Sequence, residues 1–513
     1  MLLTFSPWLT FIIFFFVISF FLVIADFLLR LLKVHPHTTR RIVHILVGVL
    51  VCFSPLFFKD SVPVVVLAAL FIVINYLGIR FGLLKGIHET DRVSYGTVYF
   101  PISFLILVLW FWHKDPAILL TAMLIMTFGD PIASWVGESR KNPITFKIWS
   151  DKKSLQGSTA MFVVAFLVAV AGMYGFRHLF GPAISFSTAL LFGFFTAVYA
   201  AVSETVSHEG TDNLMVPLGS AVVLDFLYYS VPAMQNQLML WMILTSGIAW
   251  LAWKLNSLSL SGAVGAWLLG TVVFGIGGLE WMLPVIYFFV TSSLYTGMGK
   301  KHKQILETVF EKGGQRDIFQ VFANGGVGMF AILGYYFTNH IIWYMIFLGS
   351  IAAATADTWA TELGTFSKRM PVSILNFKKV EMGTSGGITP LGTLGALIGS
   401  LSLVLIGALA WGWRHGESLS IIHILIITFA GFAGSVVDSV IGATLQAQYR
   451  CPECHKITEK RDHCSHENIP LIRGYTFLNN DRVNQLCTLS GGLLAGLAFL
   501  FYVLLIKHTG NSI

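Results

Sequence analysis

The sequence has 513 residues, of which 55% are hydrophobic and only 12% are charged, whereas an ordinary soluble domain has about 25% charged residues. This composition excludes an ordinary soluble enzyme and predicts a membrane protein. The formal net charge of +7 is explained by the orientation of the chain in a bilayer, so no nucleic-acid partner is expected.

Apolar segments of about 20 residues, the length that crosses a bilayer, recur along the whole chain. We predict sixteen transmembrane helices in two sets of eight. The first set lies near residues 7–32, 42–58, 63–79, 97–113, 116–136, 157–176, 183–203 and 214–232. The second set lies near residues 237–253, 259–279, 281–297, 319–337, 341–362, 386–411, 420–446 and 485–506. The predicted fold class is therefore all-α, a polytopic protein made of two tandem bundles.

The predicted domains are residues 1–235 and 236–513, and the second carries a cysteine-containing insertion near 448–478. Basic residues in short loops resist translocation, so they mark the cytoplasmic side. With the N-terminus outside, all but five of the 33 Lys and Arg residues are cytoplasmic; the five are Lys59, Lys114, Arg177, Arg414 and Lys507. We expect a multi-pass protein of the cell membrane.

A polar motif occurs once in each half. Both copies follow Asp-x-x-Ala-(Ser/Thr)-x-x-Gly, then a Lys-Lys pair, then Gly-(Ser/Thr); they run from Asp130 to Ser158 and from Asp357 to Thr384. Each copy starts at the end of the fifth helix of its set. This recurrence predicts an ancestral duplication in the same orientation, in contrast to the inverted repeats of many transporters.

Further acidic residues come after each copy of the motif. Glu204 and Asp438 end the seventh helices, and Asp212 and Asp481 open the eighth. Glu362 lies inside the second motif, between Thr361 and Gly364. Ionisable residues at membrane depth are costly and are usually functional or paired, so these are candidate catalytic residues together with Asp130 and Asp357. The alternative is that each carboxylate reaches water at a helix end or pairs with a nearby lysine.

The motif combines the groups that a phosphate site needs. Carboxylates hold Mg²⁺, lysines neutralise phosphate charge, and backbone N–H groups at helix starts favour anions. The candidate Mg²⁺ ligands are Asp130, Glu204, Asp357 and Asp438. The candidate nucleotide-binding residues from the two copies are Lys152, Lys153, Gly157, Ser158, Lys378, Lys379, Gly383 and Thr384. Such a site suits phosphoryl transfer. Gly392, Gly395 and Gly399 are instead expected to pack helices.

The inserted loop contains Cys451, Cys454, His463, Cys464 and His466. A C-x-x-C pair with a third cysteine and a histidine nearby suits a structural Zn²⁺, and a reducing cytoplasm argues against a disulfide. We predict Cys451, Cys454, Cys464 and His466 as its ligands.

The first half resembles the dolichol kinase and phytol kinase family of CTP-dependent polyprenol kinases over residues 36–217. The resemblance rests on Arg40-Arg41-x-x-His44, Arg92-x-x-x-Gly96-x-x-Tyr99-Phe100-Pro101, the Asp130 to Ser158 block, and Glu204 with Asp212-Asn213-x-x-Val216-Pro217.

Residues 250–490 resemble a second family, the transmembrane protein 19 group that includes plant phytyl-phosphate kinase. The motifs are Gly314-Gln315-Arg316-Asp317, Gln320-Val321-x-Ala323-Asn324-Gly325-Gly326, Asp357-Thr358-x-Ala360-Thr361-Glu362, Gly383-Thr384-x-Gly386-Gly387, Asp438-Ser439-x-x-Gly442-Ala443 and Asn480-Asp481-x-Val483-Asn484.

Together the resemblances imply a bifunctional kinase that converts an isoprenoid alcohol to its monophosphate and then to its diphosphate. CTP would be the donor, Mg²⁺ the cofactor and membrane lipid the surroundings, with both active sites facing the cytoplasm. The resemblances add Arg92, Arg316 and Asn324 to the nucleotide-binding candidates. In the first step, the proton acceptor is Asp130 or His44; in the second, Arg316 and Lys301 are available to hold two anions together.

Two alternatives stay open at this point. A CTP-dependent cytidylyltransferase acting on a lipid phosphate would need a similar site but would release pyrophosphate. A membrane transporter built from parallel repeats would also contain duplicated bundles and intramembrane charge. Asp225 is the acidic residue that the sequence places nearest the bilayer centre.

Overall fold

The computed structural model describes the chain except residues 1–5, 33–35, 83–93, 149–151, 304–314, 456, 460, 465 and 509–513. The described part is almost entirely α-helical, with a few short strands in loops. Within this described part, ten helices are long and apolar enough to cross a membrane. The prediction of an all-α, polytopic membrane protein is therefore confirmed.

The chain divides into two compact units, Met1–Gln235 and Asn236–Ile513. The helices of the first unit are α1 (Pro7–Leu32), α2 (Pro36–Cys52), α3 (Ser54–Phe57), α4 (Val62–Arg80), α5 (Gly96–Phe111), α6 (Pro116–Ser139), α7 (Leu155–Ala171), α8 (Arg177–Phe180), α9 (Phe186–Val206) and α10 (Asp212–Tyr229). A π-helical turn at Gly172–Phe176 joins α7 to α8. Strands β1 (Thr145–Lys147) and β2 (Lys152–Ser154) form an antiparallel hairpin between α6 and α7.

The boundary between the units falls inside α11 (Pro232–Lys254). The next helices are α12 (Leu260–Gly270), α13 (Leu279–Lys303), α14 (Ile318–Thr338), α15 (Ile342–Gly364), α16 (Pro390–His415), α17 (Ile421–Thr444) and α18 (Asn480–His508). A π-helical segment, Thr271–Gly277, continues α12. Strands β3 (Val372–Ser373) and β4 (Gly387–Ile388) pair between α15 and α16, and β5 (Gln448–Arg450), β6 (Ile457–Thr458) and β7 (Leu471–Arg473) form a small sheet between α17 and α18.

Local signals in the sequence explain where many helices begin. A Ser, Thr or Asp side chain accepts a hydrogen bond from an N–H of the first turn, which satisfies one of the free donors of a helix start. The residues that cap helices in this way are Asp115, Ser154, Ser185, Ser259, Asp317, Thr389 and Ser420. The predicted helix at 42–58 instead ends at Cys52, and Pro55 opens the short α3, since proline cannot continue a helix but fits its first turn.

One helix is central in each unit. In the first unit α6 packs against α2, α7 and α10, and 78% of its apolar segment is buried. In the second unit α15 packs against α14, α16, α17 and α18. The packed pairs α6–α7, α7–α9, α9–α10 and α6–α10 correspond in chain order to α15–α16, α16–α17, α17–α18 and α15–α18. Duplication of an ancestral unit stays a prediction that this shared packing order supports.

A cluster of ion pairs holds the start of α6 to α8 and α10. Arg177 and Asp115, each 1% exposed, form an ion pair, and the Tyr229 hydroxyl donates to Asp115 at 2.9 Å. Lys114 Nζ lies 2.7 Å from a carboxylate oxygen of the buried Asp225. Asp225, the acidic residue that the sequence places nearest the bilayer centre, is thus paired with Lys114.

Candidate active sites

Four predicted residues of the first unit meet where α6, β2, α7 and α9 come together. Lys153 Nζ donates to Glu204 Oε1 at 2.6 Å, and Ser158 Oγ donates to Glu204 Oε2 at 3.4 Å. Asp130 is near the end of α6, and Lys153 and Glu204 are among the charged groups that act on its carboxylate. The structure therefore brings Asp130, Lys153, Ser158 and Glu204 into one polar cluster, which we call the first-unit cluster.

Close packing of α6 against α7 explains how these side chains meet. Ser154 caps α7, and its Oγ accepts from the Gly157 N–H at 3.1 Å. A Cβ on Gly157 would lie 3.0 Å from the Ala133 carbonyl oxygen of α6, and one on Gly137 would lie 2.8 Å from Ser154 Oγ. Glycine at both positions therefore favours the close approach of α6 and α7, which places the start of α7 near Asp130.

The start of α10 brings further polar groups to the first-unit cluster. Asp212 and Arg40 also act on the Asp130 carboxylate, and Asn213 Nδ2 donates to Asp212 Oδ1 at 2.9 Å. The tight turn before α10 contacts the start of α5, where Tyr95 N–H donates to Glu209 O at 3.0 Å. Asp212 is therefore placed by a turn that docks on another helix. Arg92, a predicted nucleotide-binding residue, lies outside the described residues.

Lys153 is the cation of this cluster with the clearest partners. Burial opposes the charged form of its amine, but Glu204, Asp212 and Asp130 outweigh that effect and raise the pKa of Lys153 above its usual value. The amine therefore stays protonated at neutral pH. The side chain of Lys152 lies outside the described residues, as does that of Lys301.

An apolar cleft of about 790 Å³ adjoins the first-unit cluster. Its polar end is formed by Arg40, His44, Asn75, Gly96 and Asn213. The remainder is lined almost wholly by apolar side chains of α1, α2, α4 and α5, namely Ile18, Leu22, Val43, Val47, Val51, Leu67, Ala68, Phe71, Phe100, Pro101 and Phe104, together with Thr97. Because Arg40 acts on Asp130 and Asn213 bonds Asp212, the cleft ends beside the acidic groups.

The second unit contains a larger cavity, of about 1890 Å³, at the corresponding ends of α15, α16 and α17. Five of the predicted residues line it: Asp357, Glu362, Gly383, Thr384 and Asp438. Asp357 and Glu459 are the charged groups that act on Asp438, and one oxygen of Asp438 has no hydrogen-bond partner among the described residues. No Lys or Arg is among the described residues that line the cavity. The second cavity is therefore acidic.

The other predicted nucleotide-binding and catalytic residues of the second unit do not line this cavity. Lys378 and Lys379 are exposed in the loop between β3 and β4. Arg316 stacks on the Phe289 ring at 5.1 Å; burial lowers its pKa, and Glu362 opposes that shift. Asn324 Nδ2 donates within its own helix, to Gln320 O at 3.1 Å. Asp481 is buried in the first turn of α18.

The structure changes which residues of the two motifs correspond. Gly383 and Thr384 do not open a helix as predicted; they lie in a turn before β4, and α16 begins after Thr389. Thr389 caps α16 by accepting from Gly392 N–H at 3.0 Å, and a Cβ on Gly392 would lie 2.7 Å from the Ala360 carbonyl oxygen of α15. Thr389 and Gly392 are therefore the counterparts of Ser154 and Gly157. The loops that precede α7 and α16 differ in structure. Aligning the two motifs on Gly-(Ser/Thr) therefore wrongly paired Gly383 and Thr384 with Gly157 and Ser158.

The predicted cysteine ligands also converge. Cys451, Cys454, His463 and Cys464 form the one group of three or more His, Cys, Asp or Glu side chains close enough to hold one metal ion in the part of the chain described. His463 thus replaces His466 in the predicted set. A hydrogen bond from the Cys454 backbone N–H is the main cause that lowers the pKa of the Cys451 thiol to about 6, which favours the thiolate that metals bind.

Comparison with known proteins identifies two related groups. The model of the integral membrane protein family DUF92 matches residues 243–492, a range that contains Asp357, Asp438, Asp481 and the cysteine cluster. Protein PGR of Arabidopsis thaliana is 30% identical over 286 residues, which cover 52% of this chain and 98% of that protein. The phytol kinase of Synechocystis sp. is 32% identical over 203 residues, which cover 39% of this chain and 83% of that protein. The chain belongs to the phytol kinase family, and its residues 243–492 are similar to the DUF92 family.

A third relative is a membrane protein without an assigned function. An uncharacterized membrane protein of Methanocaldococcus jannaschii is 30% identical over 251 residues, or 48% of this chain and 87% of that protein. No solved structure matches the chain. The similarity to phytol kinases agrees with the resemblance to prenol kinases that the motifs of the first half indicated.

Several residues of the two sites were missed as site residues by sequence reasoning. Arg40 and Asn213 were quoted only as parts of family motifs, although both form the polar end of the cleft. Glu459 carried no signal, because it meets Ser385 only when the insertion folds back on the glycine-rich turn at residues 383–387, where Ser385 Oγ donates to Glu459 at 2.7 Å.

Proposed function

We propose that the protein is a bifunctional membrane kinase that phosphorylates an isoprenoid alcohol in its first unit and the resulting monophosphate in its second. The observation that carries the proposal is the apolar cleft whose polar end adjoins the first-unit cluster. A prenyl chain has the length and apolarity for such a cleft, and its hydroxyl would lie at the polar end. The similarity to phytol kinase supports the same chemistry.

In the first step, the substrate hydroxyl attacks the γ-phosphorus of CTP and the bond from that phosphorus to the β–γ bridging oxygen breaks. The hydroxyl proton passes to Asp130, which lies beside the polar end of the cleft, and CDP leaves. The Lys153 ammonium and the Ser158 hydroxyl hold phosphate oxygens. Positioning and electrostatic stabilisation of this kind supply most of the catalysis in phosphoryl transfer.

The second step needs no proton acceptor, because a phosphate monoester is already anionic. It needs positive charge to bring two anions together, and the described lining of the second cavity contains only acidic residues among its charged groups. We therefore expect the second step to depend more steeply on a divalent cation than the first. The glycine-rich turn at residues 383–387 lines the same cavity as Asp357 and Asp438.

The acidic groups fit Mg²⁺ in the manner usual for nucleotide enzymes. Mg²⁺ is held by one or two carboxylates together with substrate phosphates, so it does not require a preformed cluster of three acids. Asp212 suits this role in the first unit, because Asp130 serves as the proton acceptor and Glu204 already neutralises Lys153 at 2.6 Å. Asp357 and Asp438 suit it in the second unit. When bound, Mg²⁺ would neutralise phosphate charge. The distribution of basic residues among the loops supports placing both sites on the cytoplasmic side of the membrane.

The test uses the full chain purified in detergent, with CTP labelled at the γ-phosphate. Prenols and prenyl monophosphates of several lengths are the acceptors. Asp130→Asn should stop phosphorylation of the alcohol and spare that of the monophosphate, whereas Asp357→Asn should let monophosphate accumulate. Asp60→Asn and Glu417→Gln, which change exposed carboxylates in the respective units, should leave both steps unchanged.

Two results would contradict the proposal. Equal loss of both activities in Asp130→Asn and Asp357→Asn would show that the two units do not house separate sites. Release of pyrophosphate in place of CDP would show a cytidylyltransferase, and the label would then not appear in the lipid product.

A further inference from the structure

The insertion between α17 and α18 is a small folded module with few apolar residues of its own. Its three short strands pair in the order β6-β5-β7. Its apolar core consists of Ala447, Tyr449, Cys451 and Ile469. So small a core does not hold a loop of this length on its own, and natural modules of this size usually add a metal or disulfides.

Four metal-binding side chains converge at one end of this sheet. The ligand atoms of Cys451, Cys454, His463 and Cys464 all lie within 4.8 Å of one another. His463 Nδ1 lies 3.6 Å from Cys454 Sγ and 3.3 Å from Cys464 Sγ. A tetrahedral zinc ion with bonds of about 2.3 Å to sulfur and about 2.05 Å to nitrogen separates sulfur from nitrogen by roughly 3.6 Å. The observed distances match this separation within a few tenths of an ångström.

We propose that Cys451, Cys454, His463 and Cys464 bind a structural Zn²⁺. All three cysteines are free thiols, and a Cys₃His set that fills every position is typical of structural zinc. His466 is directed elsewhere, with Nε2 at 3.8 Å from a Glu453 carboxylate oxygen. The C-x-x-C spacing could not distinguish the two histidines, whereas the position of His463 Nδ1 between two sulfurs does.

The zinc site would also fix one wall of the second cavity. Strand β5 leads directly into Cys451, and β6 leads directly into Glu459. Ser385 Oγ donates to Glu459 at 2.7 Å, and Gln448 Nε2 of β5 donates to the same hydroxyl at 3.0 Å. Glu459 and Ser385 both line the second cavity. The metal therefore holds a strand pair that clamps the glycine-rich turn, and Glu459 is a positioning residue. This last step rests on the proposed function, whereas zinc binding does not.

The primary test is the metal content of the full chain, purified without a histidine tag and measured by elemental mass spectrometry. Wild type should contain about one zinc per chain. His463→Ala should lose zinc to the background level, and the matched variant His466→Ala should keep it. Cobalt(II) in place of zinc should give the absorption of a thiolate-bound tetrahedral ion in His466→Ala but not in His463→Ala.

Size-exclusion chromatography in detergent shows whether each variant is folded. Zinc-free wild type would overturn the proposal, and so would a folded His463→Ala that keeps its zinc. Loss of zinc from His466→Ala alone would assign the fourth ligand to the other histidine.

A second measurement tests the coupling to the cavity. Glu459→Gln should keep its zinc and lower the second step at least about tenfold, while the first step is unchanged. An unchanged second step in both Glu459→Gln and His463→Ala would refute the coupling. If neither step were detectable in wild type, the proposed function would be wrong, but the zinc content would still test the proposed metal site.

Discussion

At the scale of single residues, Lys153 has two candidate roles, because it lies in the proposed nucleotide site and also pairs with Glu204. Its ammonium is 2.6 Å from Glu204, and the neighbouring carboxylates raise the pKa of the amine. The cation could hold a nucleotide phosphate, or it could only neutralise Glu204. The two roles predict different reaction rates when both charges are removed together, so a double-mutant cycle can separate them.

Lys153→Met should lower the rate of the first step about 100-fold, because a positioned donor to transferring phosphate is removed. Lys141→Met, which changes an exposed lysine of the same loop, should have no effect. The second step should be unchanged in both variants. The measurement is the initial rate of alcohol phosphorylation at saturating prenol, with the KM for CTP.

The double variant Lys153→Met/Glu204→Gln decides between the roles. If Lys153 holds phosphate, the double variant should be as slow as Lys153→Met. Recovery of the wild-type rate in the double variant would mean that Lys153 serves only to neutralise Glu204.

At the scale of elements, the glycine-rich turn at residues 383–387 is held against α17 by two separate requirements. Gly386 has a φ of +78°, a conformation that costs other residues about 1 kcal/mol. A Cβ at this position would also lie 2.6 Å from the Ser439 carbonyl oxygen of α17. Gly416, at the end of α16, shares the backbone conformation with a φ of +74° but has no atom within 4 Å of its Cβ position.

The pair Gly386→Ala and Gly416→Ala therefore separates backbone strain from steric overlap. Gly416→Ala should destabilise the protein by about 1 kcal/mol. Gly386→Ala should cost about 1–3 kcal/mol more, because the added methyl group forces the turn away from α17. Thermal unfolding in detergent measures both, and only Gly386→Ala should also lower the second activity. Equal shifts in the unfolding temperature would show that the turn accommodates the added methyl group at residue 386 without further loss of stability.

At the scale of the whole molecule, apolar length and motif spacing predicted most of the helices and the groups that converge on each site. The Asp130 and Asp357 motifs lie on the central helices, where carboxylates face neighbouring helix ends. Contacts that depend on loop geometry could not be predicted. Gly392 instead of Gly383 matches Gly157, His463 instead of His466 joins the cysteines, and Glu459 reaches Ser385 only through the fold of the insertion. The cleft depends on the packing of four helices and leaves no local pattern.

If the two proposed steps take place in separate sites of one chain, the monophosphate must travel from the first site to the second. If each site is complete within its own unit, an inactive first site on one molecule can be complemented by an active first site on another. Asp130→Asn and Asp357→Asn, reconstituted together in the same vesicles, should therefore convert prenol to diphosphate, although neither variant does so alone. The measurement is labelled diphosphate formed from prenol and CTP.

The matched control reconstitutes the two variants in separate vesicles, where a long-chain prenyl phosphate exchanges slowly because its apolar chain is costly to expose to water. Diphosphate should then fall well below the level of the shared vesicles. Absence of diphosphate in the shared vesicles, with both single activities intact, would mean that the intermediate passes only within one molecule. That result would exclude free release of the monophosphate, because an intermediate that diffuses in one bilayer reaches every active second site.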